Sequence, residues 1–299
     1  MKSYKALLNE AARNSPILKE LNSEESTALK RCVLSIFEDV AASCEKYDLT
    51  YMLAGGSCLG AVRHKGFIPW DDDLDLIMPR PDYEKFIRLL NEGVLGSSYS
   101  YSYPNKHVDS PSMFLKVYKN DTVMMGLGGE NSPYPNKVFI DIFPLDGFSG
   151  SSVIRKINGL IANTLRLCAN MVSEAIPLTD RQKEFYSSNK VLYRMVRRRR
   201  FVGKILSLIP HKVWVSCFDA FVRNTDMTGF VGIPTGRKLY NGEVFPSSVI
   251  LNTVRTSFEG LDAPIPQGFD RYLKNLYGNY MEIPPPEDRE RHFYTRLEL

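Results

Sequence analysis

The stretch of residues 55–76, GGSCLGAVRHKGFIPWDDDLDL, constrains this chain more than any other. A short apolar run at 51–54 stops at Gly55-Gly56-Ser57, and a second run at 74–78 follows a cluster of carboxylates, Asp71, Asp72, Asp73 and Asp75. If that second run is a strand, side chains alternate and rise ~3.3 Å per residue. Asp73 and Asp75 then leave one face about 6.6 Å apart at Cα, while Leu74 and Leu76 pack on the other. Two carboxylates about 5 Å apart repel by roughly 3 kcal/mol at an effective dielectric of ~20, so the pair calls for a cation. Mg²⁺ (or Mn²⁺) is the natural one, a hard ion held by one or two carboxylates together with substrate phosphates. With the helix predicted at 81–91, opened by Pro81, the unit reads strand, glycine turn, strand, helix.

Other readings of these letters fail. An EF-hand loop shares the spacing of Asp71, Asp73 and Asp75 but needs Gly where Leu76 stands and Glu where Asp82 stands. Gly55 and Gly60 have the glycine spacing of a P-loop, yet Ala61-Val62 replaces the required Lys-Ser/Thr pair. Read positively, Gly55, Gly56 and Ser57 offer backbone amides to phosphate oxygens, and Arg63, His64 and Lys65 lie close enough in sequence to reach them; Arg63 has the best-suited fork. A third carboxylate is expected from VFIDIF, where Asp141 stands alone in an apolar strand at 138–143 closed by Pro144, with Asp146 the weaker choice. Lys116, alternating with apolar neighbours in a hairpin at 113–125, is a candidate donor-phosphate ligand.

Elsewhere the pattern is that of a globular α+β protein. Leu29, Val33, Ile36, Phe37, Val40 and Cys44 recur at three and four in an amphipathic helix over 23–47, with Ser23 as its N-cap. Residues 152–224 read as long helices with few turn signals. A loop-rich stretch follows, then a helix at 269–276 and the tail Pro284-Pro285-Pro286. Five cysteines with no CxxC pair indicate neither a disulfide framework nor a zinc site. No run approaches a membrane span, and the N-terminal residues carry no secretory-type apolar core, so a cytoplasmic location is expected. The net charge is only +4, but residues 151–223 hold 14 Lys+Arg against 4 Asp+Glu. That asymmetry suits an anionic partner, and the basic run Arg197–Arg200 beside Phe201 and Val202 suits peripheral contact with the inner membrane face. No nucleic-acid motif accompanies it.

The block LAGGSCLGAVRHKGFIPWDDDLDL closely resembles the signature of the LicD family, within the nucleotidyltransferase-fold superfamily. The resemblance continues in FIDIFPLDGF, FEG (258–260) and LYGNYMEIPPPEDRERH (276–292). It implies a mixed sheet flanked by helices. The nucleotidyltransferase-like catalytic core would be residues 1–150, followed by a basic helical insertion at 151–228 and a C-terminal segment, 229–299, that returns to the core. It further implies a metal-dependent phosphotransferase moving a phospho-alcohol, typically phosphocholine, from a CDP-activated donor to a hydroxyl of a cell-surface glycan, lipid-linked in one form. Asp73 and Asp75 match the family's metal-binding pair, Asp141 its third acidic position, as ligand or base, and Gly55, Gly56 and Ser57 its phosphate turn. Asp71 and Asp72 adjoin the pair, and Arg289 and His292 fall in the closing motif, expected to border the site. Two alternatives remain open at this point: transfer of NMP from an NTP, and a membrane-associated glycan-assembly protein without catalysis.

Overall fold

The computed structural model describes residues 4–13, 15–289 and 292–299. Helices α1 (Tyr4–Arg13) and α2 (Ser23–Lys46) come first, and α2 buries the apolar stripe read from its periodicity. Its cap is Asn22 rather than Ser23: Asn22 Oδ1 accepts from Glu25 N at 2.9 Å, and Asn22 N donates to the Glu25 carboxylate at 3.0 Å. This reciprocal box satisfies two otherwise orphaned amides, which a lone Ser23 could not do.

β1 (Met52–Leu53), α3 (Gly55–His64), β2 (Asp75–Pro79) and α4 (Arg80–Asn91) follow. The expected glycine turn is the first turn of α3, entered through Gly55 at φ +50°. Because β2 begins at Asp75, Asp73 precedes the strand instead of sharing its face with Asp75.

β3 (Tyr99–Ser102), β4 (Leu115–Lys119), β5 (Val123–Met125) and β6 (Phe139–Phe148) complete the first half. β4 and β5 do not form the predicted hairpin: β4 pairs antiparallel with β3 and with β6. Nor does Pro144 close its strand. β4 accompanies β6 only over 139–142, which leaves Pro144 on a locally open edge where its missing N–H costs no ladder bond.

Residues 152–222 form α5 (Ser152–Ser173), α6 (Asp180–Ser187), α7 (Lys190–Leu206) and α8 (His211–Val222). Beyond them lie β7 (Phe230–Gly232), α9 (Leu239–Gly242), β8 (Val244–Pro246), α10 (Ser247–Ile250), β9 (Thr253–Phe258), β10 (Leu261–Pro266), α11 (Phe269–Tyr277) and β11 (Arg296–Glu298). The β9–β10 hairpin, turned at Glu259-Gly260 with both residues at positive φ, was hidden in sequence within an apparently loop-rich stretch.

The main sheet runs β1-β2-β6-β4-β3, with β7 and β8 continuing from the far end of β6. Only β2 and β6 are parallel; the other pairs are antiparallel, and the class is α+β. β11 pairs with β5, which brings the C-terminus back beside the first half of the chain. A buried ion-pair network ties α8 to the sheet. Arg80, with no exposed surface, donates to both Asp146 oxygens at 2.7 Å and to Asp219 of α8 at 2.9 Å. Asp146 is therefore structural and is not the third carboxylate of a site. Among the described residues no single helix is long and apolar enough to cross a membrane; α7 and α8 pass that test only together, across an 86° bend.

Candidate active site

Strand register builds the centre. Asp75 on β2 lies opposite Asp141 on β6, which lies opposite Lys116 on β4. In-register neighbours point to the same face of a sheet, so the three side chains form a row. Lys116 Nζ donates to Asp141 Oδ1 at 2.5 Å and sits 3.5 Å from the Phe139 ring centroid. Lys116 thus reaches a carboxylate, where sequence reasoning had sent it to a phosphate.

The N-terminus of α3 abuts this row. A Cβ on Gly55 would lie 3.2 Å from Asp75 Oδ2, and one on Gly56 only 2.8 Å from Asp71 Oδ2, so glycine is what lets the carboxylates approach the helix backbone. Gly55 N donates to the Tyr272 hydroxyl at 3.0 Å. Ser57 Oγ accepts from Asp75 N at 2.9 Å, which locks the start of β2 to the helix.

The 71–73 loop adds two further carboxylates. Asp71, Asp73 and His292 each offer a ligand atom within 4.8 Å of the others. His292 Nδ1 lies 2.6 Å from Asp72 Oδ1, and its Nε2 lies 3.8 Å from Asp73 Oδ2. Asp72 thus turns to His292. The closing motif lies beside the acidic cluster through His292, while Glu290 and Arg291 of that motif lie outside the described residues.

Burial raises the pKa of Asp71, Asp73, Asp75 and Asp141, and neighbouring carboxylates push the same way, hardest at Asp71 and Asp75. Lys116 works against this at Asp141 and His292 at Asp73. Burial would lower the His292 pKa, but the Asp72 hydrogen bond and the charges of Asp73, Asp72 and Asp71 outweigh it and push it up to about 10. The imidazolium is thus an internal counter-charge, and with Lys116 it leaves the carboxylates in excess. All-oxygen donors in excess of local positive charge suit a hard divalent cation.

Asp71, Asp73 and Asp75 line a cavity of ≈ 480 Å³ whose wall also includes Thr235, Arg237 and, from α5, Arg166. A second chamber of ≈ 520 Å³ shares Gly56, Asp71, Arg237, Leu276 and Tyr277 with it. Arg166 and Arg237 were missed in the sequence. For Arg166 a signal existed: it falls on the same face of α5 as the buried Gly159, Ala162 and Ala169, where a charged residue needs a reason. One guanidinium nitrogen donates to Gly236 O at 3.0 Å; burial lowers the pKa and Glu243 opposes it. Thr235 Oγ1 is buried with no hydrogen-bond partner among the described residues.

Other candidates are employed elsewhere. Arg63 donates to Tyr280 O at 2.6 Å, Glu282 O at 3.1 Å and His64 Nε2 at 2.9 Å, clasping the C-terminal segment. Lys65, at φ 61°, caps α3, and Arg289 lies 4.2 Å from the Trp70 ring centroid on the wall of the second chamber. Glu259 of the FEG segment accepts from Phe67 N at 2.9 Å and braces the loop leading to the acidic cluster.

Residues 48–156 match the family model described as LicD/FKTN/FKRP, nucleotidyltransferase domain. The lipopolysaccharide cholinephosphotransferase LicD of Haemophilus influenzae is 26% identical over 267 residues, 87% of this chain and 92% of that protein. Two uncharacterized rickettsial proteins match shorter stretches: one from Rickettsia typhi at 34% over 73 residues (24% of this chain, 23% of that protein), and one from Rickettsia prowazekii at 28% over 126 residues (40% and 46%). The matched 48–156 segment contains α3, β2 and β6 and carries Gly55, Asp73, Asp75 and Asp141, so the part of the chain that builds the acidic centre is similar to the nucleotidyltransferase domain of the LicD family.

Proposed function

We propose that this protein transfers phosphocholine from CDP-choline to a hydroxyl of a cell-surface glycan presented in lipid-linked form, working at the inner face of the membrane. The observation that carries the reading is the approach of Asp71 and Asp75 to the N-terminus of α3, with Asp141 in register beside Asp75, at a cavity lined by Asp71, Asp73, Asp75 and two arginines. The name of the Haemophilus relative supports the choice of phosphocholine and of a glycan acceptor.

In this reading the acceptor oxygen bonds to the phosphorus that bears choline. The bond from that phosphorus to the oxygen bridging to CMP breaks, CMP leaves with the electron pair, and the acceptor proton passes to a carboxylate of the cluster. Mg²⁺ or Mn²⁺ bound by Asp71, Asp73, Asp75 and Asp141 would supply charge neutralisation for the donor phosphates. Lys116 pairs with Asp141 and opposes the rise that burial gives its pKa, leaving it a candidate as cation ligand or as base. The α3 amides and Arg166 and Arg237 bind and orient phosphate oxygens from the protein side. Phe114, Phe143 and Tyr277 on the cavity wall are aromatic residues at hand for a quaternary ammonium.

A thermal-shift panel of CDP-choline, CDP-ethanolamine, CDP-glycerol, CDP-ribitol, CTP and ATP, each with and without Mg²⁺, tests it. A ligand at 100 times its Kd adds about 2.7 kcal/mol of stability. The expected result is a Mg²⁺-dependent shift with CDP-choline, lost in Asp73→Ala, with CMP as product of turnover. Shifts confined to an NTP, with pyrophosphate as product, would replace the reading with nucleotidyl transfer.

A further inference from the structure

Of nineteen exposed large hydrophobic side chains among the described residues, fourteen fall within residues 151–223, the stretch with 14 Lys+Arg against 4 Asp+Glu. On α5 they are Val153, Ile154, Ile157, Leu160, Ile161 and Leu167, which share one face; Leu160 is 72% exposed. α7 buries Leu192, Val196 and Gly203 on one side. On the other it exposes Val191, Phe201, Val202 and Ile205 among basic residues, and the connector to α8 continues with Leu208 at 87% exposure. Apolar surface of this extent rimmed by charge marks an interaction site.

The arginine run itself is divided. Arg199 donates to the Glu174 carboxylate at 2.6 and 2.7 Å, and Arg200 donates to the Glu174 and Ile176 carbonyls, so both serve the fold. Lys190, Arg194, Arg197, Arg198 and Lys204 are exposed, and none of them forms an ion pair among the described residues. Lys190, Arg194, Arg197 and Arg198 line one open groove with Phe201 and Val202.

We propose that the outer faces of α5 and α7 form a membrane-docking surface for an anionic bilayer. Their apolar side chains enter the boundary between headgroups and acyl chains, and the basic side chains meet lipid phosphates. A helix with mixed apolar and basic exposure lies in that boundary plane rather than crossing it, and neither α5 nor α7 is both long and apolar enough to cross. Charge decides against a second copy as occupant, because a two-fold pairing of this face would set its unpaired cations against themselves. The inference goes beyond the proposed phosphotransfer and stands whichever donor the cavity takes.

Co-sedimentation of the full chain with phosphatidylcholine vesicles, with and without 30% phosphatidylglycerol, tests it. Wild type is expected on the anionic vesicles and largely off the neutral ones. Each basic residue near such a surface is worth roughly fivefold in partitioning, so Arg194→Gln/Arg197→Gln/Arg198→Gln should lose on the order of 100-fold. Phe201→Glu/Leu208→Glu and Val153→Glu/Leu160→Glu should each lose at least about tenfold while melting like wild type, since all four side chains are already exposed. Equal partitioning of wild type and these variants would overturn the proposal. So would a self-associated wild type that becomes monomeric in Phe201→Glu/Leu208→Glu without ever binding vesicles.

Discussion

Asp75→Asn should make the protein more stable and inactive at once. Asp75 and Asp141 are in-register partners on parallel strands, which places their Cα atoms about 4.8 Å apart. Two ionised carboxylates at about 5 Å repel by roughly 3 kcal/mol at an effective dielectric of ~20. Asp73 and Asp71 add to the repulsion and Lys116 offsets part of it. Partial protonation relieves more, so the isosteric amide is expected to gain about 1–3 kcal/mol, or about 2–6 °C in Tm for a chain of this size. The pH dependence has a defined sign. Carboxyl groups whose folded pKa is raised bind more protons folded than unfolded, so stability falls as pH rises above the ordinary carboxylate value of ~4 through the raised values. His292, raised to about 10, contributes stability that is complete below its ordinary value and lost as pH passes about 10, which adds a second fall in the same direction. Thermal melts in EDTA between pH 5 and 9 should therefore show a declining wild-type Tm and a flatter, higher curve for Asp75→Asn. Added Mg²⁺ should raise wild type more than the variant, and CMP release should be lost. A variant less stable than wild type across that range, or one that still turns over, would refute the view that this carboxylate is held at a cost for function.

Two further outcomes follow from other parts of the molecule. Arg80→Met leaves Asp146 fully buried without its main partner and should destabilise by about 3–5 kcal/mol, read as a drop in the urea midpoint; a loss under about 1 kcal/mol would mean the network does not hold α8 to the sheet. Arg166→Gln should raise the KM for the proposed CDP-choline donor at least about tenfold with a smaller change in kcat, and Arg166→Lys should recover part of it. An unchanged KM would remove Arg166 from the phosphate site.

Much of the centre was legible because it rests on local pattern. Asp75 and Asp141 stood out as carboxylates in apolar runs, and Gly55-Gly56 as a place where backbone comes close to something. Local pattern also misled where a longer-range contact decided the outcome. The 55–57 segment reads as a turn, but winds into a helix whose first amide, Gly55 N, donates to the Tyr272 hydroxyl and whose Ser57 Oγ accepts from Asp75 N. β4 and β5 read as a hairpin, yet each finds a better partner, β4 in β3 and β6, and β5 in the C-terminal β11. Arg63 was preferred over His64 and Lys65 as a phosphate ligand for its guanidinium fork, and that fork is taken by the carbonyls of Tyr280 and Glu282.

By itself the sequence determined the residue types that make the chemistry: an acidic pair beside glycines, a third carboxylate in an apolar strand, and a basic helical stretch after them. These follow from periodicity and from the cost of burying charge, both of which act over a few residues. Only the tertiary structure decided which cations face the acids. Lys116 and His292 come to the carboxylates, and Arg166 from α5 and Arg237 from the segment after β7 reach the cavity, from positions 25 to more than 200 residues away in the chain. Such pairings depend on strand register and helix packing, and no local spacing encodes them.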